Sequence, residues 1–437
     1  MHDLRGAAAA PAEGRTEQEA RQLAFLQSYD AHSPISAALQ QVGVYATSVH
    51  LEFVQHRPGA GATGIYRVAT SRPMLSSGTR NGVYTETSDH VDELYVGMTT
   101  ERVDDDAEDV IFAHCPHGRL AIWQHPQDPA LPGLRLATDP RTVAELWGPG
   151  RTLTSLETVS YRPLRRAVIA ADFSDGTRRY LKVLRSGHAG ELDGRHRVLL
   201  DAGIPAPVPV GEPVGEVVAL EQGDGVSLAE YFLADGGATV RPQDFISLLD
   251  RMPTEVMTLP AREAWTDRLP AYASAAASAL PAHRGRIKRL EETILAWLPR
   301  TDRGPVVPTH GDFYEANVLM RDSRISCLLD VDSLGPGHRV DDLACFLGHL
   351  AVLPAVDPRY IHAPAGFDRF ARAFAAEVDP DGLRVRAASV ALSLVAGARD
   401  VQRRDWEVQA EHRLRCAEVL LDLTPAAGDL PRWPAVL

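Results

Sequence analysis

Residues 307–347 read VPTHGDFYEANVLMRDSRISCLLDVDSLGPGHRVDDLACFL, and this stretch decides the fold. Val306–Val307 lead into His310-Gly311-Asp312, and Asn317 follows Asp312 at the fifth position. A second apolar run, Ile325–Leu329, predicts a strand that ends on Asp330. An acidic loop punctuated by glycine (Asp332, Gly335, Gly337) then leads to Asp341-Asp342-Leu343-Ala344, the start of a helix. One loop therefore carries a carboxylate and a carboxamide, and the tip of the next strand carries a second carboxylate. A small, incomplete set of oxygen donors suits Mg²⁺ shared with phosphate groups. The remaining carboxylate is placed to orient and deprotonate an incoming hydroxyl. These are parts that phosphoryl transfer requires.

The combination of His310-Gly-Asp-Phe-Tyr-Glu-Ala-Asn317, Leu-Leu-Asp330 and Asp342-Leu-Ala344 resembles the aminoglycoside phosphotransferase/choline kinase family. The resemblance implies an α+β, bilobal protein-kinase-like fold with a β-rich N-lobe and a helical C-lobe. It implies ATP and Mg²⁺ as cofactors, Asp312 as the catalytic base, and Asn317 and Asp330 as Mg²⁺ ligands. His310 and Asp342 take structural roles, Asp342 bracing the catalytic loop from its helix start. The family's loop usually has a His-Pro-Gly-like triplet before the Asn. Here Tyr314-Glu315-Ala316 stands in its place, which leaves the metal logic intact and alters the surroundings of the acceptor. Asp332 reads either as a further metal or substrate contact or as a solvated loop acid.

Upstream, Ala167–Phe173 and Arg178–Leu184 alternate around Ser174-Asp175-Gly176, a hairpin signal. Lys182 lies in the second of these strands. The chain has 45 Lys plus Arg, but the lysines are Lys182 and Lys288 alone, so a retained ammonium is a candidate for required chemistry. By the resemblance Lys182 would pair the nucleotide phosphates; the plainer reading is a strand-edge charge. A helix over about 191–201 offers Glu191, then Asp193, as its carboxylate partner. Leu220 and Glu221 fall where the family's inter-lobe hinge gives main-chain hydrogen bonds to adenine. No GxGxxG lies between the first two strands of this lobe. Tyr161–Arg166 occupies the turn, and Arg165 and Arg166 read as a solvated basic turn or as phosphate contacts.

Residues 42–123 alternate in short runs (Val49–Val54, Glu93–Met98, Arg119–Trp123) and predict a small β-rich domain with an acidic loop at Asp104–Asp106. A short helix is expected over Asp139–Leu146, and Gly148-Pro149-Gly150 marks a boundary. Leu51–Pro58 and Leu156–Pro163 agree at Leu, Glu, Val, Arg and Pro, which is either an internal repeat or chance. The expected organisation is a flexible tail over 1–35, a β-rich cap over 36–150, a nucleotide-binding N-lobe over 151–225 and a helical C-lobe over 226–437. In that lobe Ile287, Leu290, Ile294, Trp297 and Leu298 form a helical core stripe. Two more helices are expected over Ala387–Gly397 and Val408–Leu423.

The acceptor side points to Gln402, Trp406 and Glu411 near the last helix. An aromatic face stacks on a sugar ring, and carboxylates hold hydroxyls or an ammonium. Their spacing resembles that in actinobacterial glucosamine kinases; the plainer reading is a core-anchoring Trp with helix-surface charges. The order of acceptors is a sugar or amino sugar such as glucosamine, then an aminoglycoside antibiotic, then a choline-like alcohol. A catalytically inactive kinase-like binding module would lack the lysine, the base or a metal ligand, and all are present here.

A net charge of −13 disfavours nucleic acid and anionic membranes as partners. Cys115, Cys327, Cys345 and Cys416 form no CxxC pair, so neither a disulfide framework nor a structural zinc site is expected. The first residues show no signal-peptide pattern and no apolar stretch is of membrane length, so a cytoplasmic protein is expected.

Overall fold

Two helices, α1 (Ala12–Leu26) and α2 (His32–Gln41), occupy the segment that the sequence suggested was a flexible tail. The structure, a computed structural model, describes residues 12–57, 60–71, 91–398 and 405–422. Phe25, Leu26, Ile35, Ala38 and Leu39 recur at helical spacing and bury into a core with Val49, Tyr66, Val68, Val96, Met98 and Ile122. The Tyr66 hydroxyl donates to Leu26 O at 2.6 Å, which satisfies its buried oxygen. This packing corrects the tail reading: the Ala- and Glu-rich composition masked one apolar face.

That core lies against five antiparallel strands, β1 (Tyr45–Arg57), β2 (Gly61–Ser71), β3 (Val91–Thr99), β4 (Val110–Cys115) and β5 (Gly118–Gln124), ordered β1-β2-β3-β5-β4. Two short helices follow, α3 (Leu134–Thr138) and α4 (Pro140–Trp147). Asp139 caps α4 by accepting from Thr142 N at 2.8 Å, with Pro140 in the first turn.

A second antiparallel sheet is ordered β6-β7-β8-β9, from β6 (Leu153–Arg162), β7 (Arg166–Phe173), β8 (Arg178–Leu184) and, after α5 (Ala189–Asp201), β9 (Val217–Glu221). Helices α3 and α4 pack against β6, β7 and β8. The Arg179 guanidinium donates to Trp147 O, and a Cβ on Gly148 would overlap the Phe173 ring. The boundary expected at residue 150 therefore falls inside a packed layer. One unit runs to Ala189 and takes in Pro213–Val218; the other joins Gly190–Glu212 to the chain from Ala219 onward.

The second unit is mainly helical. It contains β10 (Val226–Ser227), α6 (Leu228–Asp235), α7 (Pro242–Asp250), α8 (Leu269–Ala279), α9 (Arg284–Trp297), β11 (Val306–Thr309), β12 (Val318–Arg321), β13 (Arg324–Leu328) and β14 (Gly335–His338). Helices α10 (Arg339–Val356), α11 (Ala363–Phe374), α12 (Pro380–Ser393) and α13 (Trp406–Asp422) complete it. Small sheets β10-β12-β13 and β11-β14 carry the loops of interest. Phe232, Phe245, Phe313, Phe346, Phe370 and Phe374 are fully buried and touch edge-on or stacked around α10. In α9 the stripe holds at Ile287, Leu290 and Ile294, but Trp297 is 38% exposed because the helix ends there. A β-sheet N-terminal region and a helical C-terminal region give the α+β division expected. No helix among the described residues is long and apolar enough to cross a membrane.

Candidate active site

The geometry begins with Asp342, in the first turn of α10 and 2% exposed. Its two carboxylate oxygens accept from His310 N and Gly311 N, each at 2.8 Å. Burial pushes this carboxyl up to about 7, while those N–H groups and the helix N-terminus favour its charged form. Gly311 has φ +79°, and a Cβ there would stand 2.6 Å from Ser333 O, so the turn into Asp312 requires glycine. Buried His310 bonds Leu329 O through Nε2 at 2.9 Å and meets Asp312 N through Nδ1 at 3.3 Å. A carbonyl only accepts, so Nε2 carries the proton and Nδ1 receives one, a neutral ring tying two loops together.

Asn317 Nδ2 donates to Asp312 O at 2.9 Å and faces Asp312 Oδ2 at 3.5 Å. The amide group is thereby oriented, with its carboxamide oxygen turned to other partners. Asn317 O accepts from Leu329 N at 2.8 Å, which sets the end of β13, and hence Asp330, beside the loop. Asp330 adopts φ 55° and ψ 52°, a left-handed conformation that costs a non-glycine residue about 1 kcal/mol or more. Asn317 thus lies against Asp312, and the strand end that carries Asp330 is bonded to Asn317 through Leu329. Asn317 and Asp330 offer a carboxamide oxygen and a carboxylate, hard donors too few to enclose an ion and of the kind that suits a Mg²⁺ completing its shell with phosphate and water.

The nucleotide-side residues divide between the two units. Lys182 sits opposite Val168 in the β7–β8 register, on the face away from the fully buried Leu181 and Val183. Glu191 lies in the first turn of α5 and pairs with Arg195 at 3.6 Å; Asp193 is bound to Arg197 at 2.6 Å. Buried Arg195 also donates to Leu334 O at 3.2 Å and feels the charge of Asp332, which gives that loop acid a structural neighbour. Leu220 is buried, and the Glu221 N–H is committed to Val208 O at 2.8 Å. A main-chain contact from this segment to a base therefore falls to groups other than that N–H.

Of the acceptor trio, Glu411 is engaged within the helical unit. Glu411 Oε1 accepts from Arg286 Nη1 at 2.8 Å, and the same guanidinium holds Glu418 at 2.7 Å. Arg286 keeps the Glu411 carboxyl below its ordinary range, so this acid is a tie between α9 and α13. Trp406 is half-buried at the start of α13, and Gln402 lies outside the described residues.

A different set of side chains gathers near Asp312. Tyr314 stacks on His349 at 3.9 Å, His349 meets the edge of Trp265 at 6.1 Å, and Trp265 stacks on Tyr272 at 5.5 Å. The Arg268 guanidinium lies over both Trp265 and Tyr272. Tyr314, Trp265 and Tyr272 are half-buried, while the His349 Nε2 is enclosed. Trp265 was missed because the segment over 253–268 has no periodicity, and Tyr272 because it sits in an Ala-rich helix, α8. The spacing of Cys345 and His349, four apart in an apolar helix, was the available signal for His349.

Residues 171–378 match the model of the phosphotransferase enzyme family, APH. No curated protein matches the chain in sequence. Among solved structures, a thermostable mutant of aminoglycoside phosphotransferase APH(4)-Ia is similar at 16% identity and TM-score 0.48, covering 67% of this chain and 100% of that one. A choline/ethanolamine kinase family protein from Mesorhizobium loti is similar at 18% identity and TM-score 0.45, over 67% and 93%. The macrolide 2′-phosphotransferase MphH from Brachybacterium faecium is similar at 19% identity and TM-score 0.38, over 64% and 97%.

Proposed function

We propose that the chain, whose residues 171–378 match the phosphotransferase enzyme family, transfers the terminal phosphate of ATP, with Mg²⁺, to a hydroxyl of a sugar or amino sugar. The observation that carries the reading is the Asp342 brace, which fixes His310 and Gly311 at 2.8 Å and so presents Asp312 beside Asn317. Asp312 then orients the acceptor hydroxyl and takes its proton. Asn317 and Asp330 would hold Mg²⁺, which when bound neutralises charge on the phosphates. Lys182 serves the phosphates as a compact cation, and Glu191 is its proposed helix partner.

The ring row Tyr314–His349–Trp265–Tyr272 supports a cyclic acceptor, since flat aromatic faces and edges pack against the C–H face of a sugar. It replaces the Trp406 region as the proposed acceptor wall. With Glu411 tied to Arg286, fewer carboxylates remain for a polycationic aminoglycoside, which stands second.

Coupled ADP release tested across sugars, amino sugars and aminoglycosides identifies the acceptor. Trp265→Ala is expected to raise its KM more than it lowers kcat. Asp312→Ala should abolish transfer in a folded protein. Full activity in Asp312→Ala would reject the assignment.

A further inference from the structure

The catalytic loop and one face of α10 set three unlike donors around a single gap. Cys345 and His349 are four residues apart, so they project from the same side of α10 one turn from each other. Asp312 faces them, and the thiol sulfur, an imidazole nitrogen and a carboxylate oxygen all lie within 4.8 Å of one another. Cys345 Sγ stands 4.0 Å from Asp312 Oδ1. His349 Nε2 is buried with no hydrogen-bond partner among the described residues, which leaves an imidazole nitrogen unsatisfied in a polar setting. Burial also keeps the ring neutral, the form that binds metals.

This donor set differs in kind from Asn317 and Asp330. Thiolate and imidazole select a borderline-soft ion over Mg²⁺, whereas an all-oxygen set does not. Zinc–ligand bonds of about 2.0–2.3 Å imply ligand separations near 3.5 Å in a tetrahedron, so side-chain movements of about 1 Å close the gap. We propose that Asp312, Cys345 and His349 form a Zn²⁺ site with a fourth position open to water, and that an ion there withdraws the Asp312 carboxylate from the acceptor hydroxyl. Binding releases the Cys345 thiol proton to solvent as the sulfur–zinc bond forms. The inhibitory half of the proposal rests on the phosphotransfer reading of Asp312; the site itself does not.

Cobalt is the probe. Metal-stripped protein titrated with Co²⁺ is expected to show a near-ultraviolet thiolate-to-cobalt band that saturates at one equivalent and is displaced by Zn²⁺. Cys345→Ala should lose the band, and His349→Asn should weaken binding by more than about tenfold, since even outer-sphere losses cost about 10–100-fold. A protein with Cys115, Cys327 and Cys416 changed to Ser should keep it. If Cys345→Ala misfolds by circular dichroism, Cys345→Ser serves in its place. No band in the parent protein, or a band that survives loss of the Cys345 thiol, overturns the site. In the ADP-release assay Zn²⁺ should inhibit despite excess Mg²⁺, with relief by chelator; cobalt binding without any zinc inhibition overturns the blocking of Asp312. A cobalt band in a chain with no transferase activity overturns the kinase reading and leaves the metal site standing.

Discussion

Glu315, the middle residue of the unusual loop triplet, is 4% exposed, and its Oε2 has no hydrogen-bond partner among the described residues. Burial pushes its carboxyl from 4.5 up to about 7. The folded chain therefore holds this proton more tightly than the unfolded chain, and stability declines as pH rises from about 4.5 to about 7. Glu315→Gln removes the ionisation while keeping the shape. Urea unfolding should show the variant more stable than the parent at pH 8 by up to about 3 kcal/mol and nearly equal at pH 4, at about 1.4 kcal/mol per unit. Equal stability at both pH values would refute the buried, neutral carboxyl. Asp342→Ala tests the brace: two buried N–H groups lose their acceptor, at about 1–3 kcal/mol each, and kcat should fall with stability. Asp312, Asn317 and Asp330 could be singled out because their motif resembles that of a known family. The neutral Glu315 could not, since a charge state set by burial leaves no mark in the sequence.

Among the elements, the β6–β7 turn shows how a loop without a glycine-rich pattern is held. Asp128, 4% exposed in the segment after β5, accepts from the Tyr161 hydroxyl at 2.7 Å and from Leu164 N and Ala130 N at 2.9 Å. Arg165, read as solvated or phosphate-facing, pairs instead with Glu101 at 3.2 Å. Asp128→Ala leaves Tyr161 and Leu164 unsatisfied inside the protein and should cost about 3 kcal/mol in urea unfolding. It should also raise the KM for ATP if this turn covers phosphates; unchanged stability would show that the turn does not depend on Asp128. The strands β1, β3, β5, β7 and β8 were readable from alternation, and α4 from its Asp139 cap and Pro140. Helices α1 and α2 were not, because Ala-rich faces carry a weak periodic signal. Little local marked Asp128, whose Tyr161 and Leu164 partners lie more than thirty residues away.

At the scale of the whole chain, the family match begins at residue 171, while the unit containing β6, β7 and β8 begins far upstream. The sequence placed a boundary at Gly148-Pro149-Gly150 because those residues break elements. Packing does not respect that break, since Leu134, Val143 and Trp147 are almost fully buried in the layer formed by α3 and α4. Burying three such side chains contributes about 5–9 kcal/mol at 1.5–3 kcal/mol each, comparable with the entire stability of a domain, about 5–15 kcal/mol. Two truncations separate the alternatives. A chain starting at residue 151 exposes that layer and should be unfolded or aggregated, with no cooperative thermal transition. A chain starting at His125 keeps α3, α4 and Asp128 but loses Glu101, so it should melt cooperatively and retain transfer with a raised KM for ATP as Arg165 is released. Cooperative melting of the shorter chain with unaltered kinetics would restore the boundary at 150 and reduce the N-terminal region to an independent appendage.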